Sequence, residues 1–472
     1  MGAPAQTIPS PTHPDLARLD EIIDAQRKRF ESGDTLPQRF REGQLTALLE
    51  ALHRHEKKLG EALAHDLHKS EAETYISEVG FITHELKHTL RKLGKWMKDQ
   101  RTGFAPMIAA PATSYIHHQP LGLNLIISPW NYPVHLAIVP IVAALAAGNV
   151  AVLKPSELAP ACSAAVADLI RETFDEDVVA VFEGGIEVSK GLLARRWDHI
   201  FFTGSTNVGR IVAKAGAEHL SRVTLELGGK SPAIVTATAD LDLAAKRIAV
   251  GKCLNVGQTC IAPDYVLAEA SIHDALLDRL KEALVKFYGE QPQQSDGLGR
   301  IINDHHFQRL VALIDPAKVF HGGRTDRDDR WIEPTILRDV TLDDAVMEDE
   351  IFGPILPVLK VDGLDRAMQV IRQRPDPLAL YLFTGDRDDE RRVVDNVSFG
   401  GGAINDTLVH MADAHLPFGG IRGSGVGAYH GVHGFERFSH KKAITRSATF
   451  IDPYLKYPPF GPNLGIIRRI FG

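Results

Sequence analysis

From Leu121 onward the chain alternates short apolar runs with helical stretches, and this alternation restricts the fold more than any other feature. LNLII (123–127) precedes PVHLAIVPIVAALAAG (133–148), VAVLKP (150–155) precedes ACSAAVADLIRETF (161–174), and HIFFTG (199–204) precedes NVGRIVAKAG (207–216). Strands that are apolar at nearly every position must be covered on both faces, so the pattern predicts a parallel sheet wrapped by helices. A second series follows Glu226, through APDYVLAE, a helix around Ala275 to Phe287, PILPVLKV, MQVIRQR, LALYLFTG and RRVVDNV. Two α/β units are expected, with a ligand site in the crevice between them.

The first hundred residues read as helical: Leu45, Leu48, Leu49 and Leu52 share one face, as do Ile82, Leu86, Leu90 and Leu93. The apolar stretch Val134 to Leu153 contains His135, Pro140, Gly148 and Asn149, which fits a buried helix followed by a strand better than a membrane span. Thr325 to Arg330 reads as a solvated loop. No internal repeat, low-complexity segment or linker stands out.

A chain of 472 residues has room for two or three domains. With 44% apolar residues, 24% charged residues and a net charge of −7, it lacks the basic surplus of a nucleic-acid binder, so small-molecule ligands are expected. Cys162, Cys253 and Cys260 are an odd set in a long chain, arguing for a reducing, cytoplasmic setting and against a disulfide framework. Met1 to Thr7 carries Gln6 where a myristoylation signal needs Ser or Thr, and no signal-peptide core follows. The tail beyond Tyr457 is too short to span a membrane, which leaves only a weak peripheral contact open to it.

His84-Glu85-Leu86-Lys87-His88 matches the H-E-x-x-H zinc pattern. Both histidines are expected opposite the Ile82, Leu86, Leu90 stripe, in solvent, with no third ligand, so no metal is expected. Gly204 and Gly209 sit at a predicted strand-to-helix turn where N–H groups and the helix dipole can hold a phosphate, although a tight structural turn would look similar. Arg210 stands where a P-loop needs Lys, which argues against an NTPase. Lys154 and Glu157 end another predicted strand and could bond ribose hydroxyls, or belong to a strand end with Ser156 as a helix cap.

Cys260, in NVGQTC, lies in a polar, glycine-bearing segment between a helical run and a strand, where backbone donors can stabilise a thiolate or an oxyanion. Cys162 and Cys253 read as small buried hydrophobes. Glu226, in LELGGKSP, and Asn131, in SPWNYP, supply a carboxylate and an amide at other strand ends. Thiol, carboxylate and amide are the set needed to form a covalent adduct, activate water and stabilise an oxyanion. Spacing alone does not bring the three together.

SPWNYP, LKPSE, FTGST, LELGGKSP, GQTC, EIFGP and LPFGG occur in an order that resembles the aldehyde dehydrogenase superfamily, over about Glu42 to Phe450. CIAPDYV and GAYHGVHGFERFSHKKA resemble its class 3 branch, with the coniferyl-aldehyde and fatty-aldehyde dehydrogenases.

The resemblance implies an aldehyde dehydrogenase-like α/β fold: a Rossmann-type NAD(P)-binding domain (1–110 and 123–225), a catalytic domain (226–435), a small β oligomerisation arm (111–122 and 436–455) and a tail (456–472). It implies Cys260 as nucleophile, Glu226 as general base, and an oxyanion site from the Asn131 amide with the Cys260 N–H. Lys154 and Glu157 would contact the adenosine ribose. Ser205, with the Gly204 and Gly209 turn, would contact the pyrophosphate, and Glu350 with Phe352 the nicotinamide ribose. Tyr132, Tyr429 and His430 would line the substrate pocket. NAD is the expected cofactor, with NADP as the second choice, because Glu157 repels a 2′-phosphate.

The expected substrate is an aromatic aldehyde such as coniferyl aldehyde, or a medium- or long-chain aliphatic one. The expected assembly is a homodimer built by exchanging edge strands near Ser114 to His118 and Ala443 to Ile451. Two alternatives stay open: a CoA-acylating dehydrogenase, and a cofactor-independent cysteine hydrolase. Val256 replaces a commoner alanine before GQTC, and Arg422 a commoner glycine after PFGG, which bears on substrate fit more than on the reacting groups.

Overall fold

The computed structural model describes residues 14–104 and 111–471; the segment read from Met1 to Thr7 lies outside them. Four sheets organise the described residues. A six-stranded sheet runs in the order Gly425–Val426, Arg222–Leu227, His199–Gly204, Leu123–Ile127, Val150–Lys154 and Val179–Val181, parallel except for the first strand. A seven-stranded sheet runs Val319–His321, Thr335–Leu337, Ile355–Val361, Tyr265–Glu269, Pro232–Val235, Ala379–Phe383 and Gly401–Ile404, again parallel except for the first strand.

Every residue of Leu123–Ile127 and Val150–Lys154 is buried, as strands covered on both faces require. The helix between them, His135–Ala147, is apolar all round and buried at every position, and left-handed Gly148 closes it. No helix among the described residues is long and apolar enough to cross a membrane.

Ala112–Pro120 and Ser439–Ser447, which carry most of the segments expected to exchange between subunits, pair antiparallel with each other in register Ser114↔Thr445. Gln100–Phe104, not foreseen as a strand, adds a third strand to them, and Ile451 lies beyond the end of the last strand.

The sequence reading needs two corrections. Thr325 to Arg330 is not simply a loop: Thr325–Asp326 pairs with Trp331–Ile332 as a short hairpin. In the helix Gly80–Trp96, His84 is exposed, but His88 is buried against Trp96 and His415. That helix touches Gln38–Leu67, His135–Ala147 and Gly431–Arg437, so it buries a wider arc than its leucine stripe. The described residues contain no group of three His, Cys, Asp or Glu side chains arranged to hold a metal.

Candidate active site

In the six-stranded sheet the Leu123–Ile127 and His199–Gly204 strands are neighbours, while the strands that follow each of them lie on opposite sides. Such a reversal opens a crevice at the carboxyl ends of the strands. Beyond Ile127 the chain carries Trp130, Asn131 and Tyr132 across this crevice before the helix starts at His135. Beyond Gly204, Ser205 caps the helix Thr206–Glu218 by accepting the Val208 N–H. Glu226, opposite Thr203 in the parallel ladder, comes from the adjacent strand.

A cavity of about 310 Å³ at this place is lined by Asn131, Tyr132, Gly204, Ser205, Glu226, Cys260, Glu350, Phe352, Tyr429 and His430. Three of the residues expected at the site do not line it. Lys154 and Glu157 lie at the end of the neighbouring strand, joined by an ion pair of 2.8 Å. Gly209 is buried within the following helix, where a Cβ would stand 2.6 Å from a Leu227 methyl, so its smallness serves helix-to-strand packing.

The cysteine segment leaves the helix Leu241–Cys253 through three successive left-handed residues, Asn255 (φ 51°), Val256 (φ 54°) and Gly257 (φ 73°). A β-branched residue in that region is strained, and this one is held by its surroundings. The Asn255 N–H donates to Glu73 at 2.7 Å, and its side chain donates to the Asn131 and Gln258 carbonyls. A Cβ on Gly257 would collide with the Gly353 carbonyl. Buried Gln258 donates to the Arg300 carbonyl and accepts from the Ile302 N–H.

Asn131 meets this segment by donating one amide hydrogen to the Gln258 carbonyl at 3.0 Å. Its second amide hydrogen has no acceptor among the described residues. Cys260 is half-buried on the cavity wall, whereas Cys162 and Cys253 are buried and all three are free thiols. Burial first, then the Glu350 and Glu226 carboxylates, push the Cys260 thiol well up.

Glu226 is 3% exposed, and neither carboxylate oxygen has a hydrogen-bond partner. Burial raises its pKa well above the usual carboxylate range. Burial and then Asp264 raise Glu350 to about 8, against the Gly229 N–H that favours its charged form. A clamp sets the Glu350 segment. Lys230 donates to Asp264 and to the Val346 and Asp349 carbonyls at 2.7, 2.7 and 2.8 Å, while Asp264 accepts the Ile351 N–H.

Besides Tyr132, Tyr429 and His430, the cavity wall carries Leu136, His135, Met411 and Phe418, of which His135 and Phe418 pack against the His430 ring. Burial lowers His430 to about 3 and His135 well below its ordinary value, so these imidazoles are neutral. Arg309, also on the wall, spends an N–H on the Ile351 carbonyl. Arg422, the other departure from the family pattern, adopts φ 51°, which accounts for glycine there; it pairs with Asp376 at 2.9 Å.

Sequence reasoning missed Trp130, His306, Met411 and Phe418 on the wall. Trp130 had a signal, since it adjoins Asn131 in SPWNYP, and Phe418 had one in LPFGG. His306 and Met411 had none. Lys230 stands inside LELGGKSP and could have been asked for a partner.

The aldehyde dehydrogenase family model matches residues 3–444. The chain is 45% identical to the 4,4′-diaponeurosporen-aldehyde dehydrogenase of Staphylococcus aureus, covering 94% of this chain and 96% of the relative. It is 44% identical to the dimeric NADP-preferring aldehyde dehydrogenase of Canis lupus familiaris, over 94% of this chain and 98% of that protein. Among solved structures, the substrate-bound state of Staphylococcus aureus AldH superposes with a TM-score of 0.94 at 43% identity, covering 96% of this chain and 99% of that one. A glyceraldehyde-3-phosphate dehydrogenase of Methanocaldococcus jannaschii complexed with NADP gives 0.81 at 26% identity, covering 92% and 95%.

Proposed function

The chain belongs to the aldehyde dehydrogenase family, and from that premise we propose that it oxidises an uncharged aldehyde to the carboxylic acid through a covalent adduct on Cys260. One observation carries the reading: Asn131, Glu226 and Cys260, from three separate segments, line the same cavity. NAD(P) supplies the hydride acceptor. The residues present suit it, because Gly204 and Ser205 open the helix N-terminus onto the cavity and Glu350 keeps one buried oxygen without a partner. NAD is the first choice, with Lys154 and Glu157 holding the adenosine ribose.

The Cys260 thiol first gives up its proton, and the thiolate adds to the carbonyl carbon; the oxygen, now negative, accepts hydrogen bonds from the second Asn131 amide hydrogen and from the Cys260 N–H. Loss of hydride leaves a thioester. Glu226, with both oxygens unpartnered, removes a proton from water as the water oxygen attacks that carbonyl, and the Cys260 sulfur departs.

The substrate end supports an uncharged aromatic or medium- to long-chain aliphatic aldehyde. Its rings and Met411 are apolar, its histidines are neutral, and Glu226 and Glu350 would repel an anion once ionised. An NAD(P)-binding unit at 1–110 and 123–225, a catalytic unit at 226–435 and an arm at 111–122 and 436–455 complete the proposal. A homodimer is included, supported by the dimeric name of the dog relative. Free thiols suit a reducing compartment.

The test is acid-quench mass spectrometry of Glu226→Gln with NAD and an aromatic or aliphatic aldehyde. Acyl-enzyme on Cys260 should accumulate while Cys260→Ser forms none. Full steady-state turnover by either variant, or a requirement for CoA with no free acid formed, would overturn the assignment.

A further inference from the structure

Helix Gln38–Leu67 ends on left-handed His68 (φ 54°), and this turn sends the next side chain, Lys69, back into the protein, where it is fully buried. An ammonium without water must spend all three hydrogens on partners. Lys69 has three: Glu78 at 2.6 Å, the Asn131 backbone carbonyl at 3.2 Å, and the face of the Tyr132 ring, 4.0 Å from its centroid. Glu78 turns its other oxygen to the Val134 and His135 N–H groups, at 3.1 and 2.8 Å, at the start of the helix His135–Ala147. The ion pair therefore joins the end of one helix to the beginning of another across the segment that carries Asn131.

The Asn131 carbonyl accepts a second bond, from the Asn255 side chain at 2.8 Å, and its amide is pinned on the Gln258 carbonyl. With the backbone held by Lys69 and Asn255 and the side chain by Gln258, Asn131 keeps one amide hydrogen without an acceptor among the described residues, on a side chain that lines the cavity together with Cys260.

We propose that Lys69 is a positioning residue that acts through Asn131, fixing the amide where the oxyanion of the bound acyl group forms. This rests on the oxyanion role given to Asn131 above. Lys69 is outside the cavity wall and would act only by geometry; an amide displaced by about 1 Å costs up to about a hundredfold in rate.

Two reactions of Cys260 that need no cofactor separate positioning from general damage. Acylation by p-nitrophenyl acetate passes through an oxyanion; alkylation by iodoacetamide does not. In Lys69→Met the p-nitrophenolate burst should slow by about tenfold to a hundredfold while alkylation stays within about twofold. Lys69→Met/Glu78→Gln, which leaves no unpaired buried charge, should behave alike. Asn131→Ala should slow the burst at least as much, and adding Lys69→Met to it should slow it no further.

Equal losses in both reactions, or effects of Lys69→Met and Asn131→Ala that multiply, would overturn the proposal. A normal burst in Lys69→Met beside a slow one in Asn131→Ala would overturn it while leaving the oxyanion role standing. A normal burst in Asn131→Ala would remove that role and the proposal with it.

Discussion

Gly228 and Glu350 compete for one volume: a Cβ built on Gly228 would overlap the Glu350 carboxylate. Gly228 lies outside the left-handed region, so alanine meets no backbone penalty there and the whole conflict falls on Glu350. Gly228→Ala should therefore act by pushing that carboxylate away from the site proposed for the nicotinamide ribose. Catalytic efficiency toward NAD should fall by about tenfold to a hundredfold. In a Glu350→Ala background the same change should cost almost nothing. Steady-state kinetics of the four proteins decide it; a full loss persisting in the Glu350→Ala background would sink the idea.

All three thiols are pushed up by burial, Cys253 to about 12 and Cys260 and Cys162 further. Acidity therefore does not single out Cys260, and access does, because it alone of the three is half-buried instead of buried and lines the candidate active-site cavity. Iodoacetamide should modify one thiol per native chain, slowly at neutral pH and faster as pH rises. Peptide mapping should find the label on Cys260 and none on the Cys260→Ser protein. A second label on the native chain would contradict the buried placement of the others.

The sign of the Glu350 effect on this thiol follows from its own titration. Glu350, raised to about 8, is protonated below that pH and negative above it, and only the negative form opposes the thiolate. Glu350→Gln and the parent should thus alkylate at equal rates below about pH 8 and diverge above it, the variant being faster. A pH profile of the alkylation rate in which the variant is slower above pH 8 would refute the coupling.

The main strands announced by the alternation were legible because they are apolar at nearly every position, and burial on both faces requires that. Gly401–Ile404 and Gly425–Val426 were not, since each glycine-rich edge segment holds a single β-branched residue, too little for a strand signal; close backbone approach shapes them, with a Cβ on Gly425 falling 2.6 Å from the Leu225 carbonyl. Motif order brought forward Asn131, Glu226, Cys260, Glu350 and Phe352 as a set. Motif order was silent on what steadies them, because Lys69 lies 62 residues from Asn131, and Glu73 182 residues from Asn255. Such pairs follow from how helices pack, not from local periodicity. His88 shows the same limit: its burial depends on three neighbouring helices.

If the proposed cofactor site is right, cofactor choice should turn on the Lys154–Glu157 pair. At 2.8 Å, Glu157 occupies the cation that could otherwise meet a 2′-phosphate, and it adds a negative charge of its own at the strand end. Glu157 is 44% exposed, so solvent screens it. Two unit charges about 4 Å apart repel by about 1 kcal/mol in water and about 4 kcal/mol near a protein surface, and a tenfold preference needs about 1.4 kcal/mol. Glu157→Gln should consequently raise the ratio of kcat/KM for NADP over NAD by about tenfold, mainly through KM for NADP, because the charge acts far from the reacting carbon. Added salt should shrink the difference between parent and variant, as screening requires. An unchanged ratio in Glu157→Gln at low ionic strength would show that the ribose lies elsewhere and would withdraw Lys154 and Glu157 from the proposed cofactor site.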